Sequence, residues 1–208
     1  MRDGANRRMT RRDLRREATK AAVIEAARSV FLERGYERAT IKAIAEAGRV
    51  SAGTVLNAAP SKAALLVEIL KEEYAAIGDA SARLASALSG RLSDRLSALM
   101  QISLEAQARH PELFAAAIGH AWLVSDPSYE ESAQQMELAW APIRSAVDEA
   151  VTAGELRSGL DVDQVTDALQ DLYLGVLRRH RRGGLDAASA SAMLSQRVHL
   201  LFDGLKRD

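Results

Sequence analysis

Side chains able to do covalent or metal chemistry are sparse in this sequence, and their spacing does not suit it. There are no cysteines, which excludes disulfide frameworks, zinc fingers, iron–sulfur clusters and thiol nucleophiles. The four histidines, His110, His120, His180 and His199, are scattered without the paired spacing of metal ligands. No glycine-rich phosphate loop, HExxH pair or nucleophile-elbow sequence is present. The acidic pairs Glu130-Glu131 and Asp161/Asp163 fall in loops or at helix starts, where capping and solubility account for them. The expectation is a protein that is not an enzyme, with no catalytic residues, no metal and no cofactor.

What remains is charge. The chain has 28 Lys+Arg and 28 Asp+Glu, so its formal net charge is zero. Residues 1–62 nevertheless carry 14 Lys/Arg against 7 Asp/Glu, and residues 63–208 carry 14 against 21. A basic third is joined to an acidic remainder, an asymmetry that points to a polyanion as the partner of the basic part. Residues 1–16, with Arg2, Arg7, Arg8, Arg11, Arg12, Arg15 and Arg16, read as a basic flexible arm that is either solvated or laid on DNA phosphates. No apolar run approaches the roughly 18 residues of a membrane span, and the N-terminus has no apolar signal core. A soluble, cytoplasmic protein with no membrane contact is expected.

The elements that position these charges are helices. Alanine supplies 39 of the 208 residues, aromatics only nine, and no stretch alternates in the manner of a strand. The fold class is all-α. A first helix is expected from about Asp13 to Arg34, with Ala18, Ala22, Val23 or Ile24, Ala26, Val30 and Phe31 on one face, and Gly35 as its αL cap. Thr40 caps a short helix over Ile41–Ala47, a turn follows at Gly48-Arg49-Val50, and Ser51 caps another from Ala52 to about Ala59. Pro60 stops that helix, and Ser61 caps the next, from Lys62 to about Ala76. This is a helix-turn-helix unit in which Ile41, Ile44, Ala45, Val50 and Val55 form a small core and the second short helix can enter a major groove.

Phe31–Gly35-Tyr36, Thr40-Ile41-Lys42-Ala43-Ile44-Ala45, Val50-Ser51-Ala52-Gly53-Thr54-Val55 and Pro60-Ser61-Lys62-Ala63-Ala64-Leu65-Leu66 stand in one linked series. It resembles the N-terminal domain of TetR-type transcriptional regulators over roughly residues 16–70. Two departures stand out. The family usually has Ala-Gly before Val-Ser, where this chain has Gly48-Arg49, and it often has aromatics where this chain has Leu56, Asn57, Ala58 and Ala59. The resemblance implies double-stranded DNA as partner, with Lys42, Thr54 and Asn57 as base-edge readers and Gly53 on the same surface. It also implies Thr40, Ser51, Lys62 and the N-terminal arginines at phosphates, with Arg49 either folded away or reaching one. Thr40, Ser51 and Ser61 would cap their helices in any case, and Leu56 is expected to pack between helices rather than meet DNA.

From residue 63 the chain reads as amphipathic helices near 62–80, 92–109, 111–124, 129–153, 162–182 and 186–205. The resulting division is an arm over 1–16, a helix-turn-helix domain over 17–62 and a larger helical domain over 63–208. The resemblance implies that this last domain binds a small-molecule effector and forms the homodimer. Its candidate effector residues are Met100, Leu104, Phe114, Trp122, Met136 and Trp140, with His110 and His120 as polar contacts; core filling is the competing account of each. Val165, Leu169, Leu172, Val176 and Leu177 line one of the last two helices and Leu194, Val198 and Leu201 the other, as the dimer surface or as ordinary intrachain packing. The arginines and histidine of 178–182 are explained by the helix C-terminus they occupy. The expected function is that of a homodimeric repressor released from a pseudo-palindromic operator by its effector; the alternative is a dimeric scaffold whose head has lost specific DNA recognition.

Overall fold

The computed structural model describes residues 10–121 and 129–203. Nine helices and no strand occur among the described residues: α1 Arg11–Arg34, α2 Ile41–Ala47, α3 Ala52–Ala58, α4 Lys62–Ala85, α5 Leu92–Arg109, α6 Pro111–Ala121, α7 Tyr129–Thr152, α8 Val162–Arg181 and α9 Ala187–Phe202. The all-α reading and its helix order hold. Residues 1–9 of the expected arm and the break at Ser125-Asp126-Pro127 lie outside the described residues.

Local chemistry sets the helix ends. Thr10 and Asp13 form a reciprocal capping box: Thr10 Oγ1 accepts from the Asp13 amide at 3.2 Å, and the Asp13 carboxylate accepts from the Thr10 amide at 2.9 Å. Asp13 is therefore the third residue of α1 rather than its first, and residues 11–16 of the expected arm are helical. Those amide and hydroxyl donors hold the Asp13 carboxyl below its ordinary value. Ala18 and Ala22, expected on the buried face, are exposed; burial in α1 begins at Val23 and continues through Ala26, Ala27, Val30 and Phe31. Gly35 ends the helix at φ 77°, ψ 151°, a glycine-only conformation more extended than the expected αL cap. Ala59 is extended before Pro60, and the Ser61 hydroxyl accepts from the Ala64 amide at 3.0 Å to open α4.

The chain divides into two compact units, Met1–Lys71 with Glu112–Ser132, and Glu72–Pro111 with Ala133–Asp208. Helices α4 and α7 contribute residues to both. In the first unit α1, α2 and α3 pack together around Val23, Ala27, Phe31, Ile44 and Val55, all essentially inaccessible. Of the expected core, Ile44, Ala45 and Val55 are buried, whereas Ile41 and Val50 are half-buried at its edge. An ion chain joins α1, α4 and the start of α7 in this unit: Glu68 receives Lys20 at 3.1 Å and Lys71 at 3.0 Å, and Lys71 also pairs with Glu131.

In the second unit α9 packs against both α5 and α8. Its core includes Leu96, Leu99, Met100, Ile143, Val147, Leu169, Val176, Leu194 and Val198. The α5–α9 seam ends in polar contacts: Ser93 donates to Asp203, and His199 Nε2 meets Asp94 Oδ1 at 2.8 Å. The other ring nitrogen, Nδ1, lies 2.7 Å from the Ser195 carbonyl. Two acceptors on two ring nitrogens favour the imidazolium. The Ser195 carbonyl first and Asp94 second thus raise the His199 pKa above its ordinary 6.5. Asp94, which also receives Arg91, is held low chiefly by His199.

A raised histidine pKa adds stability that is complete below the unfolded value and is lost as pH rises through the folded one. The seam is thus predicted to weaken as pH rises from the ordinary histidine value of 6.5 through the raised folded one. Urea unfolding of wild type and His199→Gln should show a difference in midpoint that shrinks across this range; a constant difference would contradict the ion pair.

Candidate nucleic-acid interface

The α2–α3 pair is held by the turn that precedes it. Tyr36 is buried, its ring edge-on to Phe31 with centroids 5.2 Å apart. Lys62, the first residue of α4, reaches back into this turn. Its Nζ donates to the carbonyls of Tyr36 at 2.8 Å, Glu37 at 3.3 Å and Ala39 at 3.4 Å. It also stands 4.3 Å from the centre of the Tyr36 ring, a cation–π geometry. The resemblance implies a phosphate contact for Lys62; in the structure its ammonium is engaged by these carbonyls and by the Tyr36 ring.

Caps fix the two short helices. The Thr40 hydroxyl accepts from the Ala43 amide at 3.1 Å and the Ser51 hydroxyl from the Thr54 amide at 3.0 Å. Ser51 Oγ also shares a hydrogen bond with Thr54 Oγ1 at 2.9 Å, so the half-buried Thr54 is tied to the cap. Between the helices Gly48 has an ordinary helical φ of −79°. A Cβ there would meet the Ala26 side chain and the Ile44 carbonyl at 3.3 Å. Arg49, not the glycine, adopts the left-handed conformation, with φ 52°.

On α3, Val55 is fully buried, and the opposite stripe, Ala52, Gly53, Leu56 and Asn57, faces solvent. Leu56 is 46% exposed, so the expected inter-helix packing is corrected: Val55 already fills that space and Leu56 points the other way. Lys42 on α2 is also exposed, with Glu46 only at the 4.0 Å limit of an ion pair. Arg49, Thr40 and Ser51 are exposed as well. The expected readers Lys42 and Asn57 therefore stand on the surface, along with Gly53 and Arg49, while Thr54 is half-buried beside them.

The candidates in the rest of the chain fare differently. Met100, Leu104 and Trp140 are buried in the second unit, Met136 is half-buried there, and Phe114 is buried in the first unit. Trp122 lies outside the described residues, and nothing is described of the His120 side chain. A cleft of about 430 Å³ in the second unit is lined by residues that include Ala82, Ser86, Arg95, Pro142, Ser145 and Glu149, and by none of these candidates. Sequence reasoning also missed Tyr173, whose ring meets Trp140 edge-on at 5.6 Å. Its hydroxyl is buried with no hydrogen-bond partner among the described residues, and burial pushes its pKa up. Nearby Tyr74 is pushed up to about 12, also by burial.

Of the eight residues expected at a dimer surface or in intrachain packing, Leu177 is buried, and Leu169, Val176, Leu194 and Val198 are at most 1% exposed within a single chain. Atoms already enclosed by their own chain cannot touch a partner, so these four are corrected to core. Val165 and Leu172 are half-buried, Leu201 is exposed, and the neighbouring Leu200 is more exposed still.

If Lys62 is an internal clamp, Lys62→Met removes charge-assisted hydrogen bonds, and the stability of the first unit should fall by about 1.5–3 kcal/mol. The salt dependence of DNA binding should not change. A lysine that met a phosphate would instead lower the slope of log K against log salt by about one unit, so denaturation and salt titrations together decide its role.

Residues 23–69 match the family model of the bacterial regulatory proteins of the tetR family. No protein of curated function matches the sequence. Among solved structures, the chain is similar to FadR of Thermus thermophilus, a TetR-family transcriptional repressor solved with lauroyl-CoA: TM-score 0.71, 23% identity, 91% of this chain and 96% of that one covered. It is similar to FadR of Bacillus subtilis solved with stearoyl-CoA, at TM-score 0.65 and 18% identity over 89% of this chain and 99% of that one. A putative TetR-family regulator of Syntrophomonas wolfei aligns at TM-score 0.73 and 16% identity, over 91% and 97%. The head, residues 23–69, is thus similar to the tetR family of bacterial regulatory proteins, and over about nine-tenths of its length the chain has the fold of these solved structures.

Proposed function

We propose that the protein is a DNA-binding transcriptional regulator, acting as a homodimeric repressor that a small-molecule effector releases from a pseudo-palindromic operator. The observation that carries this is the solvent-facing stripe of α3, with Asn57 beside Leu56, on a head whose basic residues outnumber its acidic ones two to one. Lys42, Thr54 and Asn57 read base edges, with Gly53 leaving room for close approach. Thr40, Ser51, Arg49 and the arginines of the N-terminal arm and early α1 lie along phosphates. The division of labour follows the charge: residues up to 62 meet DNA, and the remainder binds effector and partner. The outward residues of α8 and α9, Val165, Leu172, Leu200 and Leu201, supply the partner surface in place of the buried four.

Regulation requires that the effector bind better to the state that fits DNA poorly. Helices α4 and α7 contribute to both units, and the Lys20–Glu68–Lys71–Glu131 ion chain ties them to α1 within the first. The two FadR structures were solved with acyl-CoA esters, so long-chain acyl thioesters are the effector class we assign, and the 430 Å³ cleft falls in the usual size range of a ligand site.

The test is fluorescence anisotropy on the protein's own upstream DNA and on a scrambled duplex at two salt concentrations. The upstream duplex should bind more tightly and keep its advantage at the higher salt. Arg49→Gly should lower the salt slope by about one unit without loss of thermal stability, because it relieves a left-handed arginine. Equal, salt-labile binding to both duplexes would favour the scaffold reading, which the absence of aromatics after Val55 motivates. Lauroyl-CoA should weaken operator binding about tenfold or more, a coupling of about 1.4 kcal/mol, whereas unesterified coenzyme A should not; no effect of either would remove the acyl thioester from the account.

A further inference from the structure

The exposed stripe of α3 carries a restricted chemistry. The helix, Ala52–Ala58, contains no charged residue. In the major groove guanine is read by Arg or Lys and cytosine by Asp or Glu, and α3 has none of the four. What it turns to solvent is the methyl of Ala52, the hydrogen of Gly53, the isobutyl group of Leu56 and the amide of Asn57. An amide pairs bidentately with the N6/N7 edge of adenine, and the one methyl group the groove displays is that of thymine. Leu56 is 46% exposed although Val55 beside it is fully buried, so its apolar surface is left for a partner outside the chain. Leu56 and Asn57 are consecutive in the helix, about 1.5 Å apart in rise, and both are open to solvent. The exposed cations beside α3 in the head lie outside that helix, Lys42 on α2 and Arg49 in the turn before the Ser51 cap.

We infer that the centre of each operator half-site is built of A·T pairs, with Leu56 seated on a thymine methyl and Asn57 on the adjacent adenine edge. Guanine reading, by Lys42, is confined to the flank. This rests on the DNA-binding reading proposed above.

The test selects duplexes from a random pool with the full-length protein at about 150 mM salt, then replaces each thymine of the selected half-site by deoxyuridine, which lacks only the methyl. The expected result is a central A·T run in which one replacement weakens wild-type binding about fourfold, the worth of one buried methyl. Leu56→Ala, a change at an exposed position, should bind the thymine and deoxyuridine duplexes equally, and Asn57→Ala should relax selection at the neighbouring adenine. A selected site with a G·C centre overturns the inference while leaving DNA recognition intact, as does a deoxyuridine penalty that persists in Leu56→Ala. Enrichment of no sequence at all overturns the DNA-recognition reading and this inference with it.

Discussion

Three backbone carbonyls in the turn after α1, those of Tyr36, Glu37 and Ala39, converge on one ammonium group, that of Lys62. A turn that leaves the helical ladder must find other donors for its carbonyls, and here a residue of α4 supplies them. The consequence is geometric. The turn is fastened to α4 at one end and to Phe31 through the Tyr36 ring, so Thr40, which opens α2, starts from a fixed point. From there the caps at Thr40 and Ser51 and the buried Ile44 and Val55 determine which face of α3 looks outward. The outward face of α3 is the product of a clamp made by residues of the turn after α1 and the start of α4.

The turn between α2 and α3 has two requirements that a single glycine cannot meet. Position 48 must lack a side chain because Ala26 stands 3.3 Å from where its Cβ would be. Position 49 must take a positive φ, where TetR-type sequences usually place glycine. This chain keeps glycine at 48 and puts arginine in the left-handed conformation, at a cost of about 1–2 kcal/mol. Strain of this kind persists where the surroundings over-determine it, and it clusters at functional sites. Here it sits on an exposed cation two residues before the Ser51 cap of α3.

Much of this architecture was legible because its signals are local. Thr40, Ser51 and Ser61 cap the helices they were expected to cap, and Pro60 stops α3, since a cap or a proline acts within a few residues of its own position. The start of α1, expected at about Asp13, lies two residues earlier at Arg11: Thr10 caps the helix and Asp13 answers it from the third position. Burial was harder to read. The stripes of α8 and α9 show which face is apolar but not what covers it, and Leu169, Val176, Leu194 and Val198 are covered by their own chain. The surroundings of Lys62 and Leu56 are set by tertiary contacts rather than by local sequence. A lysine that opens a helix looks available for phosphate until tertiary structure brings carbonyls to it, and a leucine beside a buried valine looks like core until the helix is oriented. Tyr173 carried no local signal, because a buried hydroxyl is defined by its neighbours.

The basic head and acidic remainder are neutral in sum; under the proposed function, electrostatic attraction to DNA belongs to one third of the chain, while α3 contributes shape, one amide and apolar surface rather than charge. Affinity and selectivity are thereby separated among different residues. The most direct test of the claim that the clamped head presents α3 to DNA is amide hydrogen exchange with and without the bound duplex, read over residues 40–60 and over α8. Slowed exchange confined to the helix-turn-helix, with α8 unchanged, is the predicted result. Protection centred on the arginines at the end of α8, with 40–60 unaffected, would contradict it.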